Sequence, residues 1–234
     1  MKARTAVCIG WLALGSTAAQ GQASQAPLLP VPRAGLCVTE GALEEVAGEG
    51  LLVSVPKMRA YVNGPMADVA ELRFTYLGPT ATAARLGSGA SRRQLGIKLR
   101  AADACNLIYA MWRIEPDSAL VVSVKANAGQ RSSAECSNHG YRNVKPAYSA
   151  PIPLLMPGQD HRLQVQLRDA ELRAFIDGKI VWQGRLGPQV ATLAGPAGVR
   201  SDNARMQFTL WTDTATRTLP SPLPQCRNGA DVSD

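Results

Sequence analysis

Along most of the chain apolar and polar residues alternate one by one. In "RLQVQLR" (162–168), Leu163, Val165 and Leu167 fall on one side and Gln164 and Gln166 on the other. A period of two places successive side chains on opposite faces of an extended strand, whereas a helix repeats every ~3.6 residues. The alternation predicts strands over residues 51–55, 69–77, 94–101, 105–115, 119–127, 162–168, 171–177, 179–186, 197–202 and 205–213. Helix signals are scarce. "GALEEVAGEG" (41–50) has room for a turn or two, limited by its glycines. Residues 126–160, with Pro146, Pro151, Pro153 and Pro157, read as a long ordered loop or an edge excursion. Many short strands joined by turn residues predict an all-β fold, a sandwich or barrel.

Turn chemistry sets the registers. A two-residue turn at Asp169–Ala170 pairs Arg168 with Glu171 and puts Leu163, Val165, Leu167, Leu172, Ala174 and Ile176 on one face. Asp177–Gly178 signals a second hairpin, because a type I′ turn needs positive φ at both central positions. That turn sets Ala174 opposite Val181 and leaves Gln166, Arg173 and Trp182 in one row on the other face. In the middle of the chain, Pro116–Asp117 suits a type I turn with Glu115 opposite Ser118. Tyr109, Met111, Val122 and Val124 then share a face, and Asn106, Trp112, Ser123, Lys125 and Asn127 share the opposite one. In "QLGIKLRA" (94–101), Leu95, Ile97 and Leu99 are hidden while Gln94, Lys98 and Arg100 are shown.

The first residues change the picture of compartment. "MKAR" is basic, "TAVCIGWLALG" is apolar but too short to span a bilayer, and "STAAQGQA" offers small residues for cleavage after Ala19 or Ala23. This is the order of a secretory signal, so a secreted or periplasmic protein is expected, with no membrane-spanning segment. The expected division is a signal over 1–23, one β domain over 24–219 and a Pro-rich polar tail over 220–234. Loss of Lys2 and Arg4 takes the formal charge from +7 to +5. The balance stays mildly basic without the Lys/Arg runs of a nucleic-acid binder, and suits an acidic polysaccharide or an anionic envelope. Cys8 leaves with the signal, so Cys37, Cys105, Cys136 and Cys226 remain. An even set in an oxidising compartment predicts two disulfides. Of three connectivities, the favoured one joins Cys37 to Cys226 and Cys105 to Cys136.

The segment "HRLQVQLRDAELRAFIDGKIVWQGRL", followed by "GPAGVRSDNARMQFTLW", resembles the C-terminal half of concanavalin A-like lectin/glucanase domains. The laminin-G-like and 3-keto-glycoside hydrolase-like groups share its strand, D-G turn, strand and later G-x-x-G-[LV]-R segment, here Asp177–Gly178 and Gly195 to Arg200. The resemblance implies a jelly-roll sandwich of two antiparallel sheets, with carbohydrate on the concave sheet. It assigns no catalytic residue. A basic, amide-rich face with a Trp can stack on a sugar ring and bind its hydroxyls. The candidate ligand residues are therefore Lys98, Arg100, Asn106, Trp112, Lys125 and Asn127, with Gln166, Arg173 and Trp182 as a second face.

Binding of an acidic or envelope polysaccharide is the expected function, with a glycoside hydrolase or polysaccharide lyase as the alternative and a secreted protein-interaction module as the next. No E-x-D-x-x-E run supplies paired carboxylates for glucanase chemistry. With His139 and His161 the only histidines, a Ser-His-Asp triad has little support. His161 opens a strand and reads as structural. His139, Tyr141 and Arg142, in the loop that Cys136 could hold rigid, are of the types a lyase uses as base and charge neutraliser. No cofactor or metal is expected, and a structural calcium ion has no motif behind it.

Overall fold

The computed structural model describes residues 27–46, 50–213 and 226. The signal segment expected over 1–23, and the tail over 220–234 apart from Cys226, lie outside the described residues.

The described strands are, in chain order, β1 (Leu29–Pro30), β2 (Leu36–Glu40), β3 (Glu44–Glu45), β4 (Leu51–Val53), β5 (Lys57–Val62) and β6 (Val69–Pro79). Next come β7 (Arg93–Leu99), β8 (Asn106–Glu115), β9 (Ala119–Ala126), β10 (Tyr141–Asn143) and β11 (Tyr148–Ser149). The last are β12 (Asp160–Arg168), β13 (Glu171–Ile176), β14 (Lys179–Arg185), β15 (Gly198–Asp202) and β16 (Ala204–Thr212). They build two antiparallel sheets. The nine-stranded sheet runs β11-β14-β13-β12-β6-β16-β4-β3 with β1 beside β16, and the seven-stranded sheet runs β10-β9-β8-β7-β15-β5-β2. This is the predicted all-β sandwich. No helix among the described residues is long and apolar enough to cross a membrane.

Alternation explains the core between the sheets. Leu95, Ile97 and Leu99 face inward from one sheet and meet Leu72, Leu163, Val165 and Leu172 from the other, all at most 1% exposed. The β12–β13–β14 ribbon has its predicted turns. Asp169 and Ala170 have φ of 47° and 62°, and Asp177 and Gly178 have 50° and 80°. Asp177 also closes its turn through its side chain, accepting the Arg162 N–H at 2.8 Å and meeting His161 Nδ1 at 2.8 Å. His161 is thereby fixed at the edge of the core, its ring 5.2 Å from that of Trp112.

Three expectations need correction. Residues 44–45 form a strand where a helical turn had room, because Glu44 and Glu45 pair with Leu52 and Leu51. In the ribbon, a bulge between Ala174 and Phe175 pairs Ala174 with Trp182 instead of Val181. Trp182 is consequently a core residue, 2% exposed, with its ring folded over Gly184, where a Cβ would come within 2.7 Å of it.

The middle hairpin is one residue out of the expected register. Arg113 pairs with Ala119 and Tyr109 with Ser123, so β8 and β9 are joined by residues 116–118 and not by a two-residue turn at Pro116–Asp117. Because strand faces alternate, a slip of one residue turns one strand over. Trp112 moves into the core, fully buried beside Ile108, Ala110, Val122 and Val124, while Tyr109 and Met111 join Ser123 and Lys125 on the outer face. Burying an indole is worth on the order of 4–6 kcal/mol by area, which outweighs the preference of one short turn.

The segment 126–160 is an edge excursion. It forms the one-turn helix α1 (Ser133–Cys136), then lends β10 to an edge of one sheet and β11 to an edge of the other. Both expected disulfides are present, Cys37–Cys226 and Cys105–Cys136.

Candidate functional site

The outer face of the seven-stranded sheet is a field of cations. Alternation along β5 and β15 sends Arg59 and Arg200 outward as cross-strand partners, and Gly96 lies next in the same row. A Cβ at Gly96 would meet the Ala110 carbonyl at 2.2 Å, so only glycine fits there. The adjoining row brings Lys98, Tyr109 and Ser123 together across β7, β8 and β9. Lys125 faces Tyr141 across the β9–β10 pair.

At one end of this floor, Asp202 is wholly buried and clamped. Arg59 Nη2 donates to its Oδ1 at 2.6 Å, while Arg200 Nε and Gln94 Nε2 donate to its Oδ2 at 2.9 and 2.6 Å. Burial alone would push the Asp202 carboxyl up, but Arg200, Arg59 and the Gln94 amide together hold it down at about 2. Arg59 Nη1 also donates to the Met58 and Ser201 carbonyls, both at 3.0 Å. Asp202 thus fixes the direction of both guanidinium groups.

At the other end, Tyr109 and Tyr141 stack with centroids 5.8 Å apart. Three cations gather on this pair. Lys125 Nζ lies 5.0 Å from the Tyr141 centroid, Arg200 Cζ 5.0 Å from that of Tyr109, and Lys98 Nζ 6.0 Å from that of Tyr109. Arg200 Nη1 also donates to the Tyr141 hydroxyl at 3.3 Å.

Two loops wall the floor. The first, residues 80–92, is held by Asn203, whose amide accepts from Ala84 N at 2.7 Å and donates to the Ala84 and Arg92 carbonyls at 2.8 and 2.7 Å. The second runs from α1 to Tyr141. It is pinned by Cys105–Cys136 and by the Ser132/Glu135 capping box, whose backbone N–H bonds hold the Glu135 carboxyl below its usual value. The loops meet above the sheet, where a Cβ on Gly87 would lie 3.9 Å from Asn138 Oδ1. Residues of both loops border the space over Arg59 and Lys125, which are 1% exposed on this outer face, as Lys98 is at 2%. The partly open trough has a volume of about 430 Å³. Its lining includes Lys57, Arg59, Arg92, Lys125 and Arg200 and, among the described residues, no Asp or Glu.

The residues proposed from sequence are thus redistributed. Lys98 and Lys125 share the face, and Tyr141 joins them. Arg100 does not; with φ of 48° it turns away to bond Asp68 Oδ1 at 2.7 Å and the Val190 carbonyl at 3.3 Å. Trp112 is a core residue and offers no stacking surface. Asn106 and Asn127 brace the disulfide loop, Asn106 Nδ2 donating to Asp103 Oδ1 at 2.8 Å and Asn127 Nδ2 to the Cys105 and His139 carbonyls at 3.1 Å. His139 and Arg142 do not line the trough; Arg142 points to the side of β10 opposite Tyr141. Gln166 and Arg173 pair as expected on the outer face of the other sheet, without Trp182. The sequence reading missed Arg59, Asp202 and the inward wall of 80–92. The alternation Lys57, Arg59, Tyr61 against Met58, Ala60, Val62 could have revealed β5. The Arg59–Asp202 partnership spans 143 positions and leaves no local trace.

Among the described residues no cluster of three or more His, Cys, Asp or Glu is placed to hold a metal. No protein-family model matches the chain, and no curated protein matches it. Solved structures do resemble it. The carbohydrate-binding module CBM66 from Bacillus subtilis is 15% identical, with a TM-score of 0.51 over 74% of this chain and 91% of that one. The metal-free carbohydrate recognition domain of Emp46p is 8% identical, with a TM-score of 0.49 over 80% and 96%. At such identities the likeness is one of fold, and that fold is the concanavalin A-like sandwich.

Proposed function

We propose that the chain is an exported, lectin-like protein that binds an acidic glycan in the trough over the seven-stranded sheet. One observation carries this reading: among the described residues, five cations and no carboxylate line a partly open cavity that the stacked Tyr109 and Tyr141 border. Desolvated cations attract anions more strongly than surface ones, because the local dielectric is low. Tyrosine faces and hydroxyls add the stacking and hydrogen bonding a sugar needs. A cavity of about 430 Å³ has the size of an ordinary small-ligand site. The fold shared with a carbohydrate-binding module agrees with a glycan ligand, and two disulfides agree with export.

Binding is favoured over hydrolysis because paired carboxylates, the usual glycosidase machinery, are missing from the described lining. The test is a titration of the protein against alginate, pectate and laminarin at low and high salt. Alginate or pectate should bind in preference to neutral laminarin and weaken as salt rises, since ~0.1 M salt screens exposed charge over about 10 Å. Equal binding of laminarin, or no binding of either acidic polymer, refutes the reading.

A further inference from the structure

We infer that the outer face of the nine-stranded sheet carries a second carbohydrate site, for a neutral glycan, in the hollow bordered by Arg73, Thr75, Asp160, Arg162 and Thr209. It lies on the opposite side of the sandwich from the trough and takes a ligand of another class.

Alternation builds the site. β6 buries Ala70, Leu72 and Phe74 and turns Glu71, Arg73 and Thr75 outward. β12 sends Arg162 and Gln164 to the same face, and β16 sends Thr209 and Trp211 there. Arg162, Arg73 and Thr209 form one row across the three strands, and Gln164, Glu71 and Trp211 the next. Over the first row the surface sinks into a hollow of about 550 Å³. Neighbours hold the polar ends in place. The Arg73 guanidinium lies 3.8 Å over the Trp211 ring, and its Nε donates to Glu71 Oε1 at 2.5 Å. Gln164 Nε2 donates to the other Glu71 oxygen at 3.2 Å, and Thr75 Oγ1 to Asp160 Oδ1 at 2.5 Å.

Charge and donor pattern choose the ligand. Two arginines, Arg73 and Arg162, and two aspartates, Asp160 and Asp177, line the hollow, so their formal charges cancel. The trough, by contrast, is lined by five cations and no acid among the described residues. A balanced lining has no net attraction for an anion. Guanidinium donors beside carboxylate acceptors instead match a sugar hydroxyl, which donates and accepts at once. Arg162 stands directly opposite Arg73, and like charges so placed on neighbouring strands weaken a sheet, so that pair serves the fold poorly. Two adjacent guanidinium groups do present donors to neighbouring hydroxyls of one ring. Trp211, half-buried beside the row while Trp112 and Trp182 are buried, adds a surface for stacking.

The experiment titrates the full chain calorimetrically with malto-, cello-, xylo- and mannohexaose at low and high salt. At least one should bind, more weakly than alginate at low salt, with an affinity that shifts by less than about twofold as salt rises. Arg162→Met removes an exposed, charged donor, so it should lower that affinity about tenfold at an unchanged melting temperature. Trp211→Ala should lower it about fivefold or more. Both variants should bind alginate as the wild type does, because the trough lies on the other sheet. No binding of any of these neutral hexaoses overturns the site. So does a folded Arg162→Met protein that binds them as tightly as wild type, or a neutral affinity that falls with salt as steeply as that for alginate.

Discussion

Replacing Asp202 with Asn should weaken the fold and strengthen anion binding at once. The side chain keeps its shape, but two buried guanidinium groups lose their shared counter-charge. The carboxyl is held at about 2 against an ordinary 3.8, and each unit is worth about 1.4 kcal/mol, so the charged form contributes roughly 2–3 kcal/mol. Leaving a buried partner uncompensated typically costs about 3–5 kcal/mol, which puts the expectation near 3 kcal/mol. For a domain of this size that is a fall of roughly 6–12 °C in melting temperature. Because the folded value is depressed, the contribution is complete above the unfolded carboxyl value and is lost as pH falls through about 2. The gap between wild type and variant should be constant from pH 7 to about pH 4 and then close. At neutral pH the trough gains one net positive charge, so the variant should bind alginate more tightly at low salt than wild type does. Urea melts across pH and a low-salt titration together check both halves. An unchanged melting temperature, or weaker anion binding by a folded variant, refutes the account of Asp202 as a structural counter-ion.

Three further outcomes are expected. Gly178→Val should cost about 1–3 kcal/mol in a thermal melt, since φ of 80° strains a β-branched residue, although no atom lies within 4 Å of the new Cβ. Ala170→Gly should stabilise by about 0.5–1 kcal/mol, because Ala170 already holds φ of 62° in its turn, and a lower melting temperature would contradict that. Asn203→Ala removes three hydrogen bonds to the 80–92 loop, so hydrogen exchange should rise at Ala84 and glycan affinity should fall more than global stability does.

Parts of this molecule were legible from sequence because short-range chemistry decides them. In the ribbon from Asp160 to Arg185, Asp169–Ala170 and Asp177–Gly178 are turns of known geometry, and the pairing of Leu163 with Ile176 follows. The middle hairpin was less legible, since Pro116–Asp117 fits a two-residue turn locally while the core needs Trp112 inside. Local preference and burial disagreed there, and burial prevailed. The bulge at Ala174 has no local signature and carried Trp182 inward. The trough was half visible. Lys98 and Lys125 follow from alternation, whereas Arg59, Asp202 and Arg200 meet only when β5 and β15 come together, and the roof depends on a side chain at position 203 gripping position 84.

The Cys37–Cys226 bond has a mechanical consequence. Its two cysteines are 189 positions apart in sequence, with Cα atoms 5.3 Å apart; Cys37 lies in β2, and β3 to β16 all fall between the two. Tension applied to the chain before residue 37 and after residue 226 runs through the covalent bridge and bypasses the sheets. Among the described residues, such a pull loads the pairing of β1 with β16, the Val31 N–H to Leu210 carbonyl bond, the Asn63 N–H to Gly35 carbonyl bond and the Leu36–Val62 pair. In an oxidising setting, a sandwich tethered at both ends to a surface and to a polymer would keep its trough intact under loads that unzip an unbridged β domain.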